Sequence, residues 1–175
     1  NHYERLAEDV RAVLEGEVVS RGWFFIFRVK ELESFALKIE TGRVPDPLRM
    51  EDFFACTIVV PTLLHVSDAE AFLESMYDVD SRRPEDDDKT HKRASEFVFD
   101  DLRMYLKRRP NSTGRNDDLD GLVFEAQVKT VLQHAWGIAS HDLIYKTDNV
   151  SWPKARIAYQ VKAMLEHAEV TIAEA

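Results

Sequence analysis

Leu122-Val-Phe-Glu-Ala-Gln-Val-Lys129 alternates without a break. Leu122, Phe124, Ala126 and Val128 share one side of an extended chain, and Val123, Glu125, Gln127 and Lys129 share the other. Period two predicts a strand over about 119–129 with one face turned to a core. Its polar face has two readings at this point: plain solvent exposure, or a site that needs a carboxylate, an amide and an ammonium in line. The stretch before it, 110–118, is rich in Asn, Ser, Gly and Asp, the composition of a hairpin connection. Residues 97–109 alternate well enough for one or two partner strands.

Working outward, residues 55–60 (Ala-Cys-Thr-Ile-Val-Val) read as a strand closed by Pro61, with Asp52 just upstream. Residues 23–29, aromatic and β-branched after Gly22, read as a buried strand. Helical spacing predicts a first helix over about 3–19 from Leu6, Val10, Val13 and Leu14, and a second over 31–39 from Leu32, Phe35, Ala36 and Ile39. Ser67 and Glu70 have the spacing of a capping box opening a helix that runs through Tyr77. Residues 79–95 carry almost nothing apolar and predict a mobile loop that a ligand would order. A helix over 130–145 places His134 and His141 on one side. Pro153 suits the first turn of a final helix over about 153–173, whose apolar stripe is Ile157, Val161, Met164, Leu165, Ala168 and Ile172.

Composition bounds the answer. A chain of 175 residues fits one domain. Its 45% hydrophobic and 31% charged content is that of a mixed helix and strand protein without a membrane segment, since the longest apolar stretches fall far short of about 20 residues. The opening Asn1-His2-Tyr3 predicts neither a signal peptide nor an initiator Met, hence a piece of a longer chain. One cysteine, Cys56, excludes an internal disulfide framework; its apolar neighbours make it a core residue, consistent with a cytoplasmic home. The net charge of −9 opposes bulk attraction to nucleic acid.

Two groups of residues are equipped for chemistry. Arg28 and Lys30 fall on one side of a strand end, and the following helix adds Ser34 and Lys38, four residues apart. Three cations and a hydroxyl at a strand-to-helix turn suit a triphosphate, although a solvated charged turn has the same composition. Asp52 and Glu125, each beside apolar strand sequence, suit magnesium, which takes oxygen ligands from one or two carboxylates; an Asp at a strand start also serves as a plain turn residue. His134 and His141 have no partner at zinc-like spacing, and there is no P-loop or dinucleotide fingerprint.

Taken together these pieces resemble, in order and spacing over roughly residues 20–146, the RelA/SpoT-type alarmone synthetases. Arg28-Val-Lys30-Glu-Leu-Glu-Ser34-Phe-Ala-Leu-Lys38 resembles their ATP-binding strand and helix. Asp52-Phe-Phe-Ala-Cys-Thr-Ile-Val-Val resembles their magnesium strand, and Glu125-Ala-Gln127-Val-Lys129-Thr130 is similar to their Glu-x-Gln-x-Arg-Thr strand. The segment from His134-Ala-Trp136 to His141-Asp-Leu-Ile-Tyr145-Lys146 is similar to the helix that follows.

The resemblance implies an α+β fold, a mixed sheet of about five strands flanked by helices as in the polymerase-β-like nucleotidyltransferases. It implies a magnesium-dependent transfer of pyrophosphate from ATP to the 3′-hydroxyl of GDP or GTP. Asp52 and Glu125 would be catalytic and hold the metal, Arg28, Lys30, Ser34 and Lys38 would hold ATP, and Gln127, Lys129 and His134 would line the site. A regulatory partner or self-association is compatible with it.

The sequence departs from the family in the acceptor half. Where relatives carry Gly-Tyr-x-Ser-x-His, with a Tyr that stacks on guanine, this chain has residues 99–106, Phe-Asp-Asp-Leu-Arg-Met-Tyr-Leu, and both the Tyr and the His are missing. Ala55 and Thr57 replace the usual Gly and Arg, and Ser140 stands where Glu is frequent. Tyr105 is on a neighbouring position, on the opposite side of its strand from Leu106. Losing one base stack, worth roughly 1–3 kcal/mol, weakens guanine recognition. The alternatives are an adenine-nucleotide or tRNA acceptor, as in toxin-type members, or an inactive protein that binds a nucleotide or a partner. For tRNA, Arg103, Lys107, Arg108, Arg109 and Arg115 form the only basic track.

Overall fold

The alternation of 122–129 becomes the centre strand of a sheet. In the computed structural model, which describes residues 2–29, 54–85, 101–109, 117–140 and 151–175, it is β5 (Val123–Thr130). The other strands are β1 (Phe24–Val29), β2 (Phe54–Val60), β3 (Tyr77–Arg83) and β4 (Leu102–Arg108), in the order β1-β2-β5-β4-β3. β5 runs parallel to β2 and antiparallel to β4, and the two outer pairs are antiparallel, so the sheet is mixed. The helices are α1 (His2–Ser20), α2 (Val66–Met76), α3 (Val131–Ser140) and α4 (Trp152–Glu174). The helix expected over 31–39, and with it Lys30, Ser34 and Lys38, lies outside the described residues, as do Asp52 and His141.

One face of the sheet is the core. Phe54, Cys56, Ile58 and Val60 of β2, Leu102, Met104 and Leu106 of β4 and Phe124, Ala126 and Val128 of β5 are all buried there. α1 closes over it with Leu6, Val10, Leu14 and Val18, one residue per turn as its spacing predicts, and α2 with Ala69, Phe72 and Leu73. Phe124 anchors the middle, its ring centroid 5.5 Å from that of Phe54 and 5.1 Å from that of Tyr77 in an edge contact. Cys56 sits in this core as expected; burial, and secondarily the negative charge of Glu125, pushes its thiol up to about 12.

Four expectations are corrected. Residues 24–29 form an edge strand rather than a buried one: β1 has a single neighbour, so Phe24 and Ile26 are exposed and only Phe25 and Val29 pack toward the core. α2 starts at Val66 behind a 3₁₀ turn, Leu63–His65, with no side-chain cap, so Ser67 and Glu70 make no capping box. Glu70 instead receives Arg82, Nη2 to Oε2 at 3.1 Å. Residues 79–83, expected in a loop, are strand; β3 is polar because it is an outer strand, and cross-strand ion pairs of Lys107 with Asp80 and Arg109 with Asp78 fasten it to β4.

The fourth correction concerns α4. Pro153 lies in its first turn as expected, but the apolar stripe is only partly covered: Ile157, Val161 and Ile172 are exposed and Met164 is 71% exposed, Leu165 and Ala168 are half-buried, and Ala158 and Glu169 are its buried residues. Among the described residues no helix is long and apolar enough to cross a membrane.

Candidate active site

Cross-strand register assembles the other face of the sheet. Ala55 pairs with both Arg28 and Glu125, and Glu125 pairs with Tyr105, which pairs with Ser81. Registered partners share a face, so Arg28, Ala55, Glu125, Tyr105 and Ser81 form one row across all five strands. The next row is Ile26, Thr57, Gln127, Arg103 and Arg83. With strands about 4.8 Å apart, Arg28 stands roughly 10 Å from Glu125 across the row. Ala55 occupies that interval and Thr57 the matching place in the next row, so neither adds a charge from β2.

Glu125 is only 6% exposed, so the polar side of β5 is not simply solvated. Its Oε1 accepts the side-chain amide of Gln127. Lys129, one step further along the same face, sits 3.3 Å from Asp101 Oδ2. His134, half-buried on α3, has its pKa lowered, first by burial and then by the positive charge of Lys129. The sequence-predicted residues Glu125, Gln127 and Lys129 therefore run along one face of β5 toward the helix that carries His134, with Arg28 on the outer strand in the row of Glu125.

The structure adds to this face Tyr105 and Arg103, which the sequence reading named without placing them in the site, and Arg83. Tyr105 is buried on the site face, opposite Leu106 as alternation required, with the Arg83 guanidinium 5.3 Å above its ring. Arg103 reaches Asp101 through Nε at 3.3 Å and Nη2 at 3.4 Å. Burial pulls the Arg103 pKa down, but Asp101, and then Glu125, outweigh it and the net shift is upward.

Thr130, the last residue of the Glu-x-Gln-x-Lys-Thr segment, is a helix cap. Gln133 N–H donates to its hydroxyl oxygen at 3.1 Å, and its own N–H donates to Gln133 Oε1 at 3.1 Å, a reciprocal box that opens α3. The Thr130 hydroxyl also donates to Glu169, a buried carboxylate of α4. The spacing Thr130-x-x-Gln133 was the available signal. Thr130→Ala is expected to cost about 2 kcal/mol by losing the cap and leaving Glu169 short of a donor, and Thr130→Ser to retain most of it. Urea unfolding of the two variants measures this; equal losses would reject the capping role.

Each described cation of the basic track is paired. Beyond Arg103 with Asp101, Lys107 pairs with Asp80, Arg109 with Asp78 at 3.2 Å, and Arg108, itself buried, with Asp9 at 3.0 Å. Arg115 lies outside the described residues.

Residues 27–150, well over half of the chain, match the model of the region found in RelA / SpoT proteins, and the chain belongs to that family. No curated protein matches it. Among solved structures it is similar to small alarmone synthetase 1 from Bacillus subtilis, with a TM-score of 0.77 at 17% identity over 99% of this chain and 91% of that one. A GTP pyrophosphokinase family protein from Streptococcus pneumoniae superposes at 0.60 with 19% identity, covering 98% and 89% of the two chains. The Type VI effector Tas1, solved with its immunity protein, gives 0.56 at 13% identity over 95% and 93%. At these identities the likeness is one of fold.

Proposed function

We propose that this chain transfers pyrophosphate from ATP to the 3′-hydroxyl of a nucleotide, with GDP or GTP as the acceptor the family implies. The observation that carries the reading is Glu125: a nearly buried carboxylate held by Gln127 on the polar face of a centre strand, within the field of Arg103. Nothing in the packing of the core calls for an acid there, and burying one is costly unless it is used or paired. Family membership supports the reaction class, and the Bacillus subtilis small alarmone synthetase 1 was solved both with its product pppGpp and with AMPCPP.

In this reaction the acceptor 3′-oxygen attacks the β-phosphorus of ATP; the new O–P bond forms as the bond to the α-phosphate oxygen breaks, and AMP leaves. Glu125 would take the hydroxyl proton or orient the hydroxyl, with Gln127 fixing the carboxylate rotamer. Arg28, with Lys30, Ser34 and Lys38, would hold the triphosphate. Magnesium would suit the donor set, since Glu125 supplies hard oxygen atoms and Asp52 comes two residues before the neighbouring strand β2 in sequence. When bound, the ion would offset phosphate charge as the reaction proceeds. A reaction between ATP and a guanine nucleotide would suit a cytoplasmic home.

A tRNA acceptor is less well supported, because Arg103, Lys107, Arg108 and Arg109 would each have to leave an acid before meeting a phosphate. The test is incubation with γ-labelled ATP and magnesium against GDP, GTP, ADP, AMP and tRNA separately. Label is expected in GDP or GTP. Label in an adenine nucleotide or in tRNA would change the acceptor; bound ATP with no labelled acceptor would make the chain a nucleotide-binding protein; failure to bind ATP would remove the reading.

A further inference from the structure

Asp101 immediately precedes β4, and its carboxylate meets two cations of the site face together. Oδ2 lies 3.3 Å from Arg103 Nε and 3.3 Å from Lys129 Nζ, while Oδ1 lies 3.4 Å from Arg103 Nη2. The side chain is 12% exposed, against 46% for that of Arg103, so the acid sits beneath its partner rather than on a solvated rim. A guanidinium edge and an ammonium converging on two oxygens of one anion is also how proteins grip a phosphate. The contact is not needed to fasten the strands, since Arg103 and Gln127 are already neighbours in the β4–β5 register.

We propose that Asp101 is a resident occupant of a phosphate subsite made by Arg103 and Lys129, and that a terminal phosphate group of the bound nucleotide displaces it. Asp101 is then a specificity-determining residue. A terminal phosphate carries about −1.5 to −2 charge near pH 7 and outcompetes a carboxylate of charge −1. A phosphodiester, with a single charge, exchanges one for one and gains nothing. The subsite selects end-phosphorylated nucleotides and rejects nucleic-acid backbone. Naming the ligand as a nucleotide rests on the proposed transfer reaction; the exchange of anions does not.

The experiment is calorimetric titration of the whole chain with inorganic pyrophosphate and with dimethyl phosphate, in the absence of magnesium, for wild type, Asp101→Asn and Lys129→Gln. Wild type is expected to bind pyrophosphate and not the diester. Asp101→Asn is expected to bind pyrophosphate about tenfold more tightly, as when a site open about one-tenth of the time is freed of its occupant, and to gain measurable diester binding. Lys129→Gln is expected to lose at least about fivefold in pyrophosphate affinity. A folded Asp101→Asn protein with unchanged affinity overturns the proposal. Should that variant melt early, wild-type affinity in Lys129→Gln overturns it instead. If the anions exchange as stated but no acceptor is ever labelled from ATP, the transfer reading falls and the subsite stands; if transfer occurs while both variants bind pyrophosphate like wild type, the subsite falls alone.

Discussion

Glu125→Gln is expected to lower pyrophosphate transfer by about 10²–10³-fold or more while leaving the melting temperature equal or slightly raised. The substitution keeps the shape of a side chain buried on the site face, and the carbonyl oxygen of the new amide can still accept from Gln127 Nε2. What disappears is the charge. A buried carboxylate is a folding cost unless compensated, so its neutralisation does not weaken the sheet. It does remove the group proposed to act as base or metal ligand. A second readout follows from Cys56, whose thiol is held at about 12 by burial and, in second place, by the Glu125 charge. Removing that charge is expected to move the folded-state thiol downward, measurable as an earlier rise of thiolate absorbance in an alkaline titration of the folded protein. Unchanged transfer in a Glu125→Gln protein would sink the assignment of this residue.

The second large effect is on stability. Arg108→Ala is expected to cost about 3 kcal/mol, a fall of roughly 6–12 °C in Tm for a chain of this size. Arg108 is buried at the end of β4 opposite Tyr77, ion-paired with Asp9 of α1 at 3.0 Å, with its Nη1 3.9 Å from Asp120 Oδ1. It joins the first helix, the β3–β4 pair and the turn that enters β5. Truncation strands two half-buried acids and empties the space filled by the arginine stem. Among the described residues Nη1 and Asp120 Oδ1 have no hydrogen-bond partner, which tempers the value of the intact cluster and makes Arg108→Met the discriminating variant. Methionine keeps the packing and is expected to recover about half of the loss; a Met variant as unstable as the Ala variant would assign the whole effect to charge.

The fold was legible wherever period and burial agree. Alternation in 122–129 and the apolar run 55–60 gave the centre of the sheet, and the spacing of Leu6, Val10 and Leu14 gave α1. Edge positions were misread for one physical reason: an outer strand has a single hydrogen-bonded neighbour and two partly open faces, so its side-chain pattern is set by solvent and ion pairs. That made 24–29 look more buried than it is and hid 79–83 among its charges. α4 reversed the usual inference, because a helical stripe predicts an apolar face without saying what covers it.

Of the candidate site, Glu125, Gln127, Lys129 and Arg28 could be assigned to polar strand faces from period alone, and the register puts all four on one face of the sheet. His134 was legible only through the family resemblance. The places of Arg103, Tyr105 and Arg83 depend on the alignment of β3, β4 and β5, which single-strand periodicity does not contain. The ion pair of Asp101 with Lys129 joins two segments 28 positions apart and had no local signal.

β5 is the latest of the five strands to be synthesised, yet it lies in the middle of the sheet. Ala55 waits for Glu125, 70 positions further on. A chain released before this point holds two separate antiparallel pairs, β1–β2 and β3–β4, with no strand to join them and two bare inner edges. Glu125, the acid proposed for catalysis, arrives on the same strand that closes the sheet. Closure of the sheet and placement of Glu125 thus come with the same strand, and a partial product has neither the joined sheet nor this carboxylate.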